Sequence, residues 1–304
     1  MQFFIEIVIS GVLSGLMYSL VALGFVLIYK ASGVFNFAQG AMVYAAALAV
    51  VGLMGYGIPM WLSIVGSFVY MVAIGMGAER FVLGKLVNQP SITLFMATIG
   101  LSYFLEGLSS ILFGNEVRSI DLGVVDEPIQ SIMDATGLGI SKFDLFASAI
   151  IIVLVLMLSL FFQFTKLGRA LRAVADDHQA ALSLGISLEK IWTIVWIIAG
   201  FVALVAGLLW GSKNGVQYAL SLTALKALPV LILGGFTSVP GAIVGGIIIG
   251  VSEKLAEIYI PPVLQDSFGG NYGGIEGWFP YIFALLFLLI RPEGLFGEKH
   301  IDRV

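Results

Sequence analysis

Long apolar runs occupy most of this sequence of 304 residues and restrict the folds open to it. An α-helix needs about 20 consecutive apolar residues to cross a bilayer, and in lipid the backbone groups must be satisfied within the segment. Such runs lie at 7–29, 36–57, 58–78, 90–112, 145–164 and 191–211, followed by a longer region at 227–252 and a short run at 277–290. The sequence therefore predicts an all-α, polytopic integral membrane bundle of about eight spans.

The composition agrees with this class and excludes several functions. Hydrophobic residues make up 59% of the chain and charged residues only 11%, whereas soluble proteins carry about a quarter charged residues. The net charge of −4 offers no basic footprint for nucleic acid, so lipid is the expected environment and nucleic acid is not an expected partner. The absence of cysteine excludes disulfides and cysteine-ligated metals.

Catalytic chemistry is not visible in the sequence. No glycine-rich phosphate loop followed by Lys-Ser/Thr is present, so the chain is not expected to hydrolyse ATP by that route. The two histidines, His178 and His300, lie outside the apolar runs and cannot form an intramembrane metal site or proton relay. We expect a non-catalytic membrane subunit that binds no cofactor or metal.

The distribution of charge predicts the orientation, because short cytoplasmic loops carry an excess of Lys and Arg. The 114–144 loop is acidic, with six Asp and Glu residues against Arg118 and Lys142. If the N-terminus is outside and the C-terminus cytoplasmic, this loop is extracytoplasmic and ten basic residues share the cytoplasmic side: Lys30, Arg80, Lys85, Lys166, Arg169, Arg172, Lys190, Arg291, Lys299 and Arg303.

The apolar region at 227–260 is interrupted by glycines and a proline between Gly234 and Gly241. The predicted orientation requires this region to enter and leave by the same face, as a helical hairpin or a broken, re-entrant pair. Irregular backbone at membrane depth must be covered by protein or water, which would put the break beside a pathway. A tight cytoplasmic turn between two helices is the alternative.

Two further features bear on a pathway. FNFAQGAM at 35–42 and FTSVPGAI at 236–243 share a Phe followed by Gly-Ala, and a parallel internal repeat would place them at equivalent depth. Glu106 is the single charge inside the first six predicted spans. It lines a substrate path, makes an interhelical hydrogen bond or lies as a carboxylate near the outer interface.

Charge is concentrated in one polar segment. Of 15 basic and 19 acidic residues, seven lie between Lys166 and Lys190. At 100° per residue, an apolar face opposes a charged stripe of Arg169, Arg172 and Asp176, with Arg172 and Asp176 spaced to pair. The members of the apolar face are Leu167, Ala170, Leu171 and Val174.

A second short helix is predicted to follow, over HQAALSLG. Asp176 or Asp177 can cap it, Gly185 can end it, and Ser187 begins the next span. The segment is either a membrane-surface connector or a docking element for a soluble partner.

Four motifs in order resemble the branched-chain amino acid permeases of ABC importers, the LivH group. They are NFAQG at 36–40, GRALRAVADD with QAALSLGIS at 168–187, LGGFTSVPGAIVGG at 233–246 and RPEGLFG at 291–297. QAALSLG also resembles the Glu-Ala-Ala-x-x-x-Gly loop of ABC importer permeases in general, with Gln179 in place of Glu and no Leu-Pro downstream.

The resemblance implies one permease domain over 1–304, in a bacterial inner membrane, with a cytoplasmic ATPase-docking loop at 165–190. It implies four partner subunits: a second, LivM-like permease, two ABC ATPases that use the ATP, and an extracytoplasmic solute-binding protein. Residues implied to contact the ATPase are Arg169, Arg172, Asp176, Asp177, Gln179 and Gly185. Asn36, Gln39, Ser238 and Pro240 join Glu106 as candidates for the translocation pathway.

The implied function is import of branched-chain or other hydrophobic amino acids by alternating access. Urea, short amides or aromatic acids are alternative substrates for the same type of permease, because selectivity rests with a binding protein outside this chain. A stand-alone secondary transporter or channel is the alternative from another class. Such a protein is expected to carry coupling carboxylates in mid-membrane, and the apolar runs contain few.

Overall fold

The computed structural model describes residues 1–86, 89–176, 178–268 and 273–297. The described residues form twelve α-helices and no strand beyond two isolated bridges, Arg118 with Val216 and Pro128 with Ser141, which confirms the predicted all-α class. The helices are α1 Gln2–Ser32, α2 Gln39–Gly55, α3 Met60–Gly77, α4 Ser91–Phe113, α5 Gln130–Thr136, α6 Lys142–Phe164, α7 Lys166–Asp176, α8 His178–Ser183, α9 Leu188–Asn214, α10 Ala219–Gly234, α11 Val239–Phe268 and α12 Ile275–Ile290.

Each predicted apolar run corresponds to helix. Among the described residues, five helical segments are long and apolar enough to cross a membrane, namely α1, α3 with its continuation to Leu86, α4, α6 and α9. The pair α10 and α11 passes the same test together and is bent by 112°. The helices α2 and α12 are apolar but shorter, with 17 and 16 residues.

The break between α10 and α11 falls inside the predicted hinge. Gly235 has φ of +99°, a conformation that favours glycine, and the four residues 235–238 separate the helices. The second helix is longer than expected, since it continues to Phe268 and not to 260. The apolar run ends near Glu253, but a helix is defined by backbone hydrogen bonds and can continue past its apolar portion.

The described chain folds into two compact units. The first unit contains residues 1–22, 123–153 and the described residues from 225 onward; the second contains 23–122 and 154–224. The division falls within α1, α6 and α10, so each of these helices contributes to both units.

In the first unit, α1 crosses α11 with glycine on both sides. A Cβ atom at Gly15 would overlap the Gly246 carbonyl oxygen, and one at Gly11 would lie 2.6 Å from the Val251 Cα. Gly250 approaches Gly11 and Gly15 in the same way. These glycines therefore serve close helix packing, which is a main source of helix association in membranes.

In the second unit, α2 is the central element. It packs against α3, α4 and α9, and every residue from Gln39 to Gly52 is buried. A helix that is apolar on all sides is stable only when it is enclosed by others. The 17 residues of α2 are therefore positioned by protein around most of their circumference.

We predict that Gly15→Ala destabilises the chain by about 1–3 kcal/mol, because the added methyl group overlaps backbone atoms of α11 that cannot move independently. Thermal unfolding of the detergent-solubilised protein measures the effect. Gly107→Ala in α4 is the matched control, since a Cβ there meets nothing within 4 Å and alanine favours helix. Equal melting temperatures for the two variants would contradict the packing described.

Candidate functional site

Asn36 forms the turn that precedes α2. Its side chain is fully buried, its Oδ1 accepts a hydrogen bond of 3.0 Å from the Ala38 N–H, and its Nδ2 lies 3.8 Å from the Met42 sulfur. The Asn36 carbonyl accepts a further bond of 3.2 Å from the Gln39 N–H. Short polar side chains favour such turns because they bond to nearby backbone. These contacts give Asn36 a structural role, and its pathway role stays a prediction.

Gln39 is the first residue of α2 and differs from Asn36. It is fully buried, yet neither its Nε2 nor its Oε1 has a hydrogen-bond partner among the described residues. The amide lies against Gly24, where any side chain would overlap it. A buried polar group without a partner lowers stability and calls for an explanation. Of the predicted pathway residues, Gln39 is the one that local structure does not explain.

Glu106 of α4 faces the segment that begins α10. Its partly buried carboxyl lies near Ser221 and Tyr218, and the Ser221 hydroxyl donates a hydrogen bond of 2.9 Å to the Tyr218 carbonyl. Tyr218 is exposed and packs edge-on against Tyr44, with the ring centroids 6.4 Å apart. An interhelical hydrogen bond, a place near the outer interface and the lining of a pathway all stay predictions for Glu106.

Ser238 and Pro240 lie at the start of α11. The Ser238 Oγ accepts a hydrogen bond of 3.0 Å from the Gly241 N–H, as an N-terminal capping residue does. Pro240 is exposed in the first turn, where its missing N–H leaves no helical bond unmade. Both residues are thus explained by the helix start, and a role in the pathway stays a prediction.

The two similar octapeptides are both helix starts that closely approach α10. A Cβ atom at Gly40 would overlap the Ser221 carbonyl oxygen, and one at Gly241 would overlap the Gly234 carbonyl oxygen. The shared glycine therefore has the same local purpose in each motif. An internal repeat of larger extent stays a prediction.

The polar segment forms the two predicted short helices, α7 and α8. Arg169 and Arg172 are exposed, whereas Leu171 and Val174 are buried, in agreement with the predicted amphipathic faces. Leu167 is 43% exposed, so at this position the apolar face, which we expect to meet membrane or protein, is not covered by the chain itself. Angular position predicts the direction of a side chain but not whether that turn of the helix has a neighbour.

The ends of these helices also match the expected pattern. Gly185 has φ of +79° just after α8, and the Ser187 side chain accepts from the Lys190 N–H at the start of α9. Gln179 is exposed on α8. Asp177 and the Asp176 side chain lie outside the described residues, so their predicted roles and the Arg172–Asp176 pair stay predictions. Arg172 donates a long hydrogen bond of 3.4 Å to the Gln163 carbonyl.

Sequence reasoning missed a buried polar cluster in the first unit. Its acid is Glu253, which lies just beyond the apolar region 227–252 and is only 4% exposed. Tyr18 donates a hydrogen bond of 3.0 Å to Glu253 Oε1, and Lys226 Nζ lies 3.6 Å from the same oxygen.

A signal for this cluster was present in the sequence. Lys226 and Glu253 directly flank the apolar region 227–252, and the fold of α10 against α11 brings these two ends together. No group of three histidine or acidic residues suited to a metal ion occurs in the described part of the chain.

Known proteins are similar in sequence to this chain over nearly its whole length. The family model described as "Branched-chain amino acid transport system / permease component" matches residues 7–290. The branched-chain amino acid permease LivH of Escherichia coli is 27% identical over 99% of this chain and 98% of its own length.

Two other relatives extend the comparison. A probable LivH of Methanocaldococcus jannaschii is 30% identical over 91% of this chain and 88% of its own length. The fructose import permease FruF of Bifidobacterium longum is 26% identical over 78% of this chain and 66% of its own length. The chain belongs to the family of permease components of branched-chain amino acid transport systems, and it is a multi-pass, non-catalytic membrane subunit.

Proposed function

We propose that this chain is the membrane permease of an ATP-driven importer for branched-chain or other hydrophobic amino acids. The observation that carries the proposal is the pair α7–α8, which presents Arg169 and Arg172 outward on a helix whose apolar side is buried. In a permease that lacks ATP-hydrolysing motifs, such a surface suits a docking site for a separate ATPase.

The capped ends of α7 and α8 support the proposal that these helices transmit movement from the ATPase to the rest of the permease. Residues in helices move as rigid units, and α9, which begins directly after Ser187, packs against α7. Closure of two ATPase subunits on ATP would displace α7–α8 and, through α9, alter access to the pathway. A second permease of LivM type and an extracytoplasmic binding protein complete the proposed complex.

The proposed orientation follows the charge distribution. With the N-terminus outside, α7–α8 face the cytoplasm, where ATP is available, and the acidic 114–144 loop faces the binding protein. The substrate class rests on the names of relatives, and one relative is named for fructose. Urea, short amides and aromatic acids are the alternatives within the same type of permease.

A stand-alone secondary transporter is the second candidate, and one observation favours it. The buried Glu253, with Tyr18 and Lys226, is the kind of intramembrane charge that ion-coupled transporters use. Leucine uptake by the chain alone in liposomes, driven by an ion gradient and independent of ATP, would select this candidate over the ABC importer.

We predict that Arg172→Glu uncouples the complete transporter, because a reversed charge on the exposed face of α7 opposes docking of the ATPase. ATP-driven leucine uptake in proteoliposomes should fall at least about tenfold, while the complex keeps basal ATP hydrolysis that loaded binding protein no longer stimulates. Lys30→Glu, an exposed residue in the last turn of α1, is the matched control and should leave uptake unchanged. Normal uptake by Arg172→Glu would refute the docking role.

We also predict that Gln39→Leu stabilises the fold and impairs transport. Leucine is of similar size and removes two buried polar atoms that lack partners among the described residues, so unfolding should require about 1–3 kcal/mol more free energy. Loss of uptake in this more stable variant would assign the amide to the pathway. Gln163→Leu, exposed near the end of α6, serves as the control, and full uptake by Gln39→Leu would remove Gln39 from the pathway.

A further inference from the structure

The helix that begins with α3 departs from the α-helical hydrogen-bonding pattern near its end. Ala78–Leu83 form a π-helix and Gly84–Leu86 a 3₁₀ turn. Short π segments within helices occur frequently at functional sites. A cavity of about 240 Å³ lies beside this segment and the start of α9, lined by Glu79, Arg80, Gly84, Lys85, Glu189 and Trp192.

Glu79 is the buried charge of this cavity. It is 2% exposed, and its Oε2 lies 3.2 Å from the Thr193 hydroxyl. That hydroxyl also lies 2.9 Å from the Glu189 carbonyl oxygen, so two acceptors share its single proton. Even Oε2, the oxygen with a possible donor, therefore does not receive a full hydrogen bond.

The other carboxylate oxygen, Glu79 Oε1, has no hydrogen-bond partner among the described residues. It is buried beside Gly84, where a Cβ atom would be 3.0 Å away, so any side chain larger than glycine would crowd the carboxylate. A buried carboxylate is strongly destabilised without a donor, and a cationic N–H donor satisfies it best. The site is therefore suited to a cation supplied by a ligand.

The rim of the cavity carries both signs of charge. Arg80 and Lys85 are exposed cations, Glu189 is an exposed acid, and the largely buried ring of Trp192 supplies an apolar wall. A simple cation would be repelled by the two basic residues, and an anion by the two acids. A molecule with a separate ammonium and carboxylate matches the arrangement.

The cavity volume restricts the size of such a molecule. It falls slightly below the range of about 300–1,000 Å³ that is usual for drug-sized ligands. A free amino acid with a modest apolar side chain satisfies the volume, the charges and the apolar wall together.

We propose that this cavity is a second amino-acid site, in which Glu79 binds the ligand α-ammonium, Arg80 and Lys85 bind the α-carboxylate, and Trp192 contacts the side chain. This inference rests on the proposed function for its orientation, which places the cavity on the cytoplasmic side with Arg80 and Lys85. The ligand there is amino acid already imported.

The helices beside the cavity indicate how a bound amino acid would affect transport. The helix α9 packs against the π-helix on one side and against α7 on the other. A ligand that bridges Glu79 of the π-helix to Glu189 and Trp192 of α9 holds these elements together. In the proposed function, α9 relays the movement of α7. An amino acid bound in the cavity therefore slows the transport cycle when the cytoplasmic amino acid concentration is high.

The test measures binding of radiolabelled L-leucine to the complete transporter in nanodiscs, without binding protein. Competition by leucinamide, which lacks the carboxylate, and by 4-methylpentanoate, which lacks the ammonium, should each be at least about tenfold weaker than by leucine. Glu79→Gln should weaken leucine binding by at least about tenfold. Lys85→Gln, at an exposed position that folding does not depend on, should weaken it as well.

Glu127→Gln, an exposed acid in the 114–144 loop, is the matched control and should bind leucine normally. With binding protein kept saturated, millimolar leucine should inhibit ATP hydrolysis by the native complex. The Lys85→Gln complex should require an about tenfold higher leucine concentration for the same inhibition. Binding that is unchanged in both Glu79→Gln and Lys85→Gln, or competition by either analogue as strong as by leucine, would overturn the proposal.

Failure of this inference is distinguishable from failure of the proposed function. ATP-driven leucine uptake without binding that depends on Glu79 refutes the second site and leaves the importer intact. Leucine binding that depends on Glu79, without ATP-driven uptake, supports the site and refutes the importer.

Discussion

A bilayer offers no solvent that can hydrogen-bond to the peptide backbone, and the rest of this structure depends on that constraint. Helix is therefore the default, and each departure from it must be covered by protein. The turn before α2 is covered by the buried Asn36 side chain, and the break before α11 by Ser238. In both places a glycine, Gly40 or Gly241, lets another backbone approach closely.

The same constraint makes the buried polar groups conspicuous. Gln39 and Glu79 each carry a buried polar atom without a hydrogen-bond partner among the described residues, and Glu253 is buried beside Lys226. Packing alone would favour apolar residues at such positions. Proteins retain polar groups of this kind mainly where function requires them, which is why two of the three are the centres of our proposals.

Charge on the exposed faces has a different physical role. Arg169 and Arg172 remain solvated on α7, so they cost little free energy and are available to a partner. Their position on a short helix, which is anchored by the buried Leu171 and Val174, gives a partner a firm surface to act on. This is the surface that we propose for docking of a separate ATPase.

By itself, the sequence determined the helical class, the position of each apolar helix, the break near Gly235 and the two short helices of the polar segment. These features depend on local hydropathy, on helix periodicity and on glycine and capping residues, all of which are readable along the chain. Only the tertiary structure decided which polar residues are buried. Glu253 proved to be enclosed and Glu79 to be part of a cavity, because burial depends on neighbours that are distant in sequence.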